Sequence, residues 1–300
     1  MHIPDGFLST PVWAALNVVS APAVGYMAKR AGSSMGEGRA PLLGVLGAFV
    51  FAAQMVNFPV APGTSGHLLG GALLTFTAGP AAASVVMTAV LIIQALVFQD
   101  GGILALGANV LNIATAGVLA AYLPYWLFGR GSFRTAAMFA GAFLSVLVSG
   151  GLALCEIVIS GIPLPFAVTS AALVFFLAAA VIEGVVTVLV VRGIESINPA
   201  WIRRPAESGA VTKVLAAAAA VLGCGGFILA SGSPDGLEKV AERLGIADRA
   251  TAILRAPLPD YQLMLASSEP VGKVAAAVVG LATVYLVCLA VGKAVGRRSA

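Results

Sequence analysis

The sequence predicts an all-α, polytopic helical membrane protein with about nine transmembrane segments. Three observations predict it. Hydrophobic residues make up 59% of the 300-residue chain and charged residues only 10%, against about 25% charged in soluble domains. Mean hydropathy is +0.99. The apolar runs also lack the period-two alternation of barrel strands, and only helices or closed barrels satisfy their backbone hydrogen bonds in lipid. Lipid is therefore expected over most of the surface.

Cutting the chain at its Pro, Gly and charge clusters gives apolar segments at 11–28, 41–57, 67–79, 83–98, 103–128, 135–159, 167–191, 213–230 and 272–295, some shorter than the roughly 20 residues of an average span. The third has 13 residues and ends at Gly79-Pro80, so it is the weakest span and is expected to be tilted, half-buried among its neighbours or a re-entrant piece. Seven segments fall in residues 1–200, a predicted seven-helix core; residues 201–300 form a second module of two helices around a polar loop at 231–271. On the second segment Gly44, Ala48 and Ala52 recur every four residues. This small-residue stripe suits close approach of another helix, internal or from an outside subunit.

Positive charge sets the expected orientation. With the amino terminus outside, the loops at 29–40, 129–134, 192–213 and 293–300 face the cytoplasm and hold 12 of the 17 Lys and Arg. The other five, Lys239, Arg243, Arg249, Arg255 and Lys273, lie in or beside the long loop, which translocates largely regardless of charge. Basic residues at segment ends explain the net charge of +4 and exclude nucleic acid as a partner. Residues 1–11 contain no Lys or Arg, so no basic signal-peptide n-region is present and the chain is expected to keep Met1. Cys155, Cys224 and Cys288 lie in apolar segments, where a thiol behaves as a small hydrophobe.

Function is expected at the start of the chain. His2 and His67 are the two histidines, each in a Gly/Pro-rich loop beside an apolar segment and both on the predicted outer face. A metal held by the Met1 amine, the His2 amide nitrogen and the His2 imidazole closes a five- and a six-membered ring. One more imidazole, from His67, completes a square of nitrogens favoured by Cu(II) and Ni(II). Pro4 holds Ile3 extended behind the chelate. Thr64 and Ser65 are expected to orient the His67 imidazole, and Asn57, Gln94 and Asn109, near outer segment ends, to support the ligands through hydrogen bonds. The remaining intramembrane polar residues, Asn17, Gln54, Asn112, Glu156 and Glu183, are expected to bond between helices; Glu183 has no further assigned role.

Three stretches carry a family resemblance: HIPDGFL at 2–8, NFPVAPGTSGHLLGG at 57–71 and DGGILALGANVLNIA at 100–114. They resemble the substrate-binding membrane subunit of nickel/cobalt energy-coupling-factor transporters, the CbiM/NikM family. Residues 234–238, PDGLE, resemble the signature of the small accessory subunit of CbiN/NikN type, fused here to the carboxyl side. The resemblance implies a transporter subunit in the bacterial inner membrane, not an enzyme. It implies Ni2+ or Co2+ as transported substrate, held by Met1, His2 and His67. It also implies a transmembrane coupling subunit and two cytoplasmic ATPase subunits as partners. No G-x-x-x-x-G-K-[ST] pattern occurs, so ATP is not expected to bind this chain. Two other readings compete: an ion-gradient-driven carrier, and an intramembrane metal-dependent enzyme using His2, His67 and a carboxylate such as Glu156.

Overall fold

The computed structural model describes residues 1–34, 40–61, 64–197, 234–264, 266 and 268–297. The expected segment at 213–230, with the linker before it and Cys224, lies outside the described residues.

After an extended start, α1 runs Thr10–Ser34 and α2 Ala40–Gln54, followed by a hairpin of β1 (Phe58–Ala61) and β2 (Thr64–Gly66). α3 (Gly71–Ala78) turns directly into α4 (Pro80–Ile93) through Gly79 at φ +87°, with Pro80 in the first helical turn, where its missing N–H costs nothing. A wider π-type turn over Gln94–Phe98 extends α4. α5 (Leu106–Asn109) runs through another such stretch, Val110–Gly117, into α6 (Val118–Phe128). α7 (Arg134–Ile159), α8 (Phe166–Ile197), α9 (Gly236–Leu244) and α10 (Glu269–Arg297) complete the described chain.

Among the described residues five helical stretches are long and apolar enough to cross a membrane: 80–98, 106–128, 131–159, 166–197 and 269–296. α2 is shorter, at 15 residues. The expected third span is not span-length: its helix covers eight residues. All but Ala78 are buried between α4, α6, α7 and α8. Full burial explains how so short a piece persists, since its neighbours rather than lipid surround it. The Gly/Pro-rich stretch before His67 is not a plain tight loop: β1 (Phe58–Ala61) pairs antiparallel with β2 (Thr64–Gly66).

One apolar core runs through the bundle, with Phe51, Phe76, Phe98, Phe176 and Met138 fully buried. The small-residue stripe serves an internal contact: α2 packs along α10, and a Cβ on Gly44 would lie 2.8 Å from the Tyr285 ring. Asn17, with Nδ2 donating to the Leu104 carbonyl (2.6 Å) and Oδ1 accepting from Gly107 N–H (3.0 Å), ties α1 to α5. Asn112 Nδ2 donates to Glu156 at 2.9 Å. These contacts fulfil the expected role of amides as bonds between helices. A smaller apolar cluster at one end joins Ile3, Phe7 and Leu8 to Leu237, Ala241 and Ile246, seating α9 on the amino-terminal segment.

Candidate metal centre

The first residues are immobilised by their own backbone chemistry. The Asp5 carboxylate accepts N–H groups from Ile103 (2.9 Å), Leu104 (2.8 Å) and Ala105 (3.1 Å), satisfying donors ahead of α5 that have no helical partner. Asn109 grips Ile3 from both sides, accepting its N–H at 2.8 Å and donating to its carbonyl at 3.0 Å. Gly102 N–H adds a bond to that carbonyl at 2.8 Å. The chain passes so close to Asp100-Gly101-Gly102 that a Cβ on Gly101 would lie 3.2 Å from the His2 Cβ, and one on Gly102 would collide with Asp5. The two glycines of the DGG motif therefore make room for the terminus.

Ahead of Ile3, His2 lines a cavity of about 470 Å³ together with His67, Asn57, Asp100, Asp235 and Tyr261. The Met1 amine lies 2.9 Å from His67 Nε2. The His2 and His67 rings stack with centroids 5.4 Å apart and planes 19° apart. His67 Nδ1 donates to the Leu68 carbonyl at 3.0 Å; because a carbonyl only accepts, Nε2 is left with its lone pair toward the amine. Burial lowers the His67 pKa to about 4, reinforced by the nearby terminal charge and by His2, so this imidazole is neutral and ready to ligate at physiological pH.

Two carboxylates that sequence reasoning missed complete the arrangement. Asp235 accepts from the Met1 ammonium at 2.5 Å, and Asp100 Oδ1 lies 2.7 Å from His2 Nδ1. Burial works to raise the pKa of both. For Asp235 the charge and hydrogen bond of the terminal ammonium outweigh it; for Asp100 the charge and hydrogen bond of His2 do, with help from Tyr261. Both are held below the usual carboxylate range. The Tyr261 hydroxyl donates to Asp100 Oδ2, and burial followed by that negative charge pushes its own pKa well above normal. Asp100 and Asp235 each stood inside a motif visible in the sequence, but no spacing rule joins position 235 to position 1. Tyr261 carried no signal at all.

The PDGLE motif has a local explanation. Asp235 caps α9 by accepting from Leu237 N–H (2.7 Å) and Glu238 N–H (2.9 Å), while Glu238 returns to Asp235 N–H at 2.8 Å, a reciprocal capping box. The Pro234 carbonyl accepts Ser65 N–H at 2.8 Å. A Cβ on Gly236 would collide with the Phe175 ring, and Leu237 is buried against the amino-terminal segment. One five-residue motif thus docks on β2, α8 and the chain terminus together.

The expected supporting residues divide. Asn109 holds Ile3, as described. Gln94 Nε2 reaches Tyr261 at 3.3 Å and Gln54 Oε1 at 2.7 Å, acting on His2 through Tyr261 and Asp100. Asn57 lines the cavity, its buried Oδ1 without a partner among the described residues. Thr64 lines a second cavity with α8 and α9, the Ser65 N–H links β2 to Pro234, and the Leu68 carbonyl accepts from His67 Nδ1. His2 Nδ1, the atom a six-membered chelate ring would use, faces Asp100, while Nε2 is buried with no partner among the described residues. No group of three or more His, Cys, Asp or Glu side chains is arranged to hold a metal among the described residues.

Comparison with known proteins places the chain by family and fold. Residues 2–201 match the family described as CbiM, cobalt uptake substrate-specific transmembrane region, and residues 209–297 match the PDGLE domain. A putative fused nickel transport protein NikMN of Archaeoglobus fulgidus is 36% identical over 274 residues, covering 88% of each chain. The fused nickel transport protein NikMN of Rhodobacter capsulatus is 28% identical across 100% of this chain and 98% of its own. The cobalt transport protein CbiM of Acetoanaerobium sticklandii is 36% identical over 152 residues, 50% of this chain and 62% of its own. A solved truncated transition metal transporter superposes with a TM-score of 0.58 at 31% identity, over 66% of this chain and 99% of that one.

Proposed function

The chain belongs to the CbiM family of cobalt uptake substrate-specific transmembrane regions and is a multi-pass membrane protein of nickel and cobalt transport, and from that premise we propose that it is the substrate-binding subunit of an energy-coupling-factor importer. It binds Ni2+ or Co2+ at the outer face of a bacterial inner membrane. A transmembrane coupling subunit and two cytoplasmic ATPases supply the driving force. The observation that carries the reading is the Met1 amine 2.9 Å from His67 Nε2, beside the stacked His2 ring. The first two residues of the chain and a histidine sixty-five positions beyond the second bring their nitrogens together.

The arriving ion, as substrate, exchanges its water for the Met1 amine, the His2 amide nitrogen, His2 Nδ1 and His67 Nε2. To ligate, the amine gives up its bond to Asp235 and one proton, the amide gives up its proton, and His2 Nδ1 leaves Asp100 as its proton passes to Nε2 of the same ring, so that two protons are released in all. A divalent ion with one deprotonated amide keeps a net positive charge of one, and the Asp100 and Asp235 carboxylates beside it balance that charge in a setting of low dielectric. Because two protons leave on binding, affinity falls as pH drops. The His67 imidazole, neutral down to about pH 4, adds no proton cost above that. Amide deprotonation demands a strongly Lewis-acidic ion, which disfavours Mg2+, Ca2+ and Mn2+ and favours nickel over cobalt.

The test is to lengthen the amino terminus by one or two residues, which converts the terminal amine to an amide and fills the cavity. Nickel uptake by cells carrying the partner subunits should be lost, and undiminished uptake would defeat the chelate.

A further inference from the structure

Glu183 lies in the interior of α8 and is 2% exposed, and the mechanism above leaves it unused. Both of its carboxylate oxygens are engaged by backbone: Oε2 accepts Leu69 N–H at 2.8 Å and Oε1 accepts Gly70 N–H at 2.9 Å. These are consecutive amides at the entry to α3, two and three residues beyond His67. Gly70 adopts φ +73° and lies against Val50, where a Cβ would come within 2.6 Å of the Val50 side chain. Successive N–H groups around a left-handed residue form a concave anion-binding nest, and the start of a helix favours negative charge. No side chain of the short α3 caps its own start; the capping anion comes from α8. From the opposite side Gln54 Nε2 donates to the Leu69 carbonyl at 2.7 Å. Leu69 is thus held at both its N–H and its C=O by side chains from two different helices.

We propose that Glu183 is a positioning residue for metal binding: by clamping Leu69 and Gly70 it fixes the segment from which His67 presents Nε2 to the Met1 amine. The inference rests on the reading of His67 as a ligand. Burying a carboxylate with no cationic partner among the described residues is costly in a membrane, and its two amide bonds, to Leu69 and Gly70, serve the one loop that carries His67. Replacing one oxygen by an NH2 group sets a donor against a backbone donor. The loop must then shift, carrying the imidazole off its line to the other three nitrogens.

The experiment is a double-mutant cycle on the purified full chain in detergent, with nickel affinity measured by calorimetry and the nickel absorption spectrum recorded for each form. Glu183→Gln should weaken nickel binding by about tenfold, within the range for groups that orient ligands, and should shift the spectrum away from a four-nitrogen square. In the His67→Ala background the same substitution should cause no further loss, because its effect passes through that imidazole. Unchanged affinity and spectrum in Glu183→Gln, or a loss that adds in full to that of His67→Ala, would overturn the positioning role. A lowered thermal midpoint alone, with affinity intact, would overturn it equally. If His67→Ala itself retains full affinity, the ligand reading fails and the positioning role fails with it, an outcome distinct from the others. Should Glu183→Gln not fold, Glu183→Asp runs the same cycle. A loss that vanishes without His67 supports the role, and unchanged affinity overturns it.

Discussion

The two ends of the nitrogen cluster are held in contrasting ways. Met1 and His2 are retained by side-chain contacts that a cation can replace: the amine on Asp235 and the His2 ring on Asp100. His67 sits on a segment whose backbone is fixed by bonds a cation leaves untouched, Gln54 and Glu183 on Leu69 and Glu183 on Gly70. One half of the site is therefore exchangeable and the other rigid. Under the proposed chelate, the contrast teaches how a buried site would release two protons and take up an ion without rebuilding the bundle: the carboxylates would hold the chelating arm in register and let it go, while the imidazole waits in place.

Three substitutions sharpen that contrast. His67→Ala removes the rigid half outright and should reduce nickel affinity by at least about 100-fold, the upper end of what groups merely orienting a ligand contribute; calorimetry reads it directly. Asn109→Ala attacks the hinge between the arm and the fold. It strips the partner from the buried Ile3 N–H, a loss of about 1–3 kcal/mol, and should weaken nickel binding by roughly tenfold while leaving the bundle folded. Asp235→Ala removes the α9 cap and the contact with the amine, so thermal stability should fall by about 1–2 kcal/mol. Its effect on affinity should be the smallest of the three, because the amine gains freedom as it loses its partner. If Asp235→Ala weakened nickel binding more than His67→Ala did, the division into exchangeable and rigid halves would be wrong.

Much of the bundle was legible because lipid imposes length and apolarity on whatever crosses it. The expected segment 135–159 is α7, Arg134–Ile159, nearly to the residue. α8 outruns its apolar stretch to Ile197 because Arg192, Glu195 and Arg134 pair with one another at its end, a polar extension that hydropathy cannot register. The third segment was legible as a short piece half-buried among its neighbours, which is what α3 is, while the hairpin was not legible, because its four- and three-residue strands are too short to show an alternating pattern. The meeting of His2 with His67 followed from topology and rarity. Asp100 and Asp235 were visible as parts of motifs, but their partners were not, because contact between residues 1 and 235 depends on how α9 docks on Ile3 and Phe7. Glu183 was legible as a costly buried charge and illegible as a clamp, because what it holds is backbone, which leaves no trace in side-chain identity.

The most direct test is the visible absorption of the purified, nickel-loaded chain near neutral pH. Four nitrogens in a plane, one of them a deprotonated amide, give a diamagnetic square-planar ion with one bound nickel per chain and an absorption band that fades as the pH is lowered. A paramagnetic, octahedral spectrum, or a chain that holds no nickel while its amino terminus is free, would contradict the account.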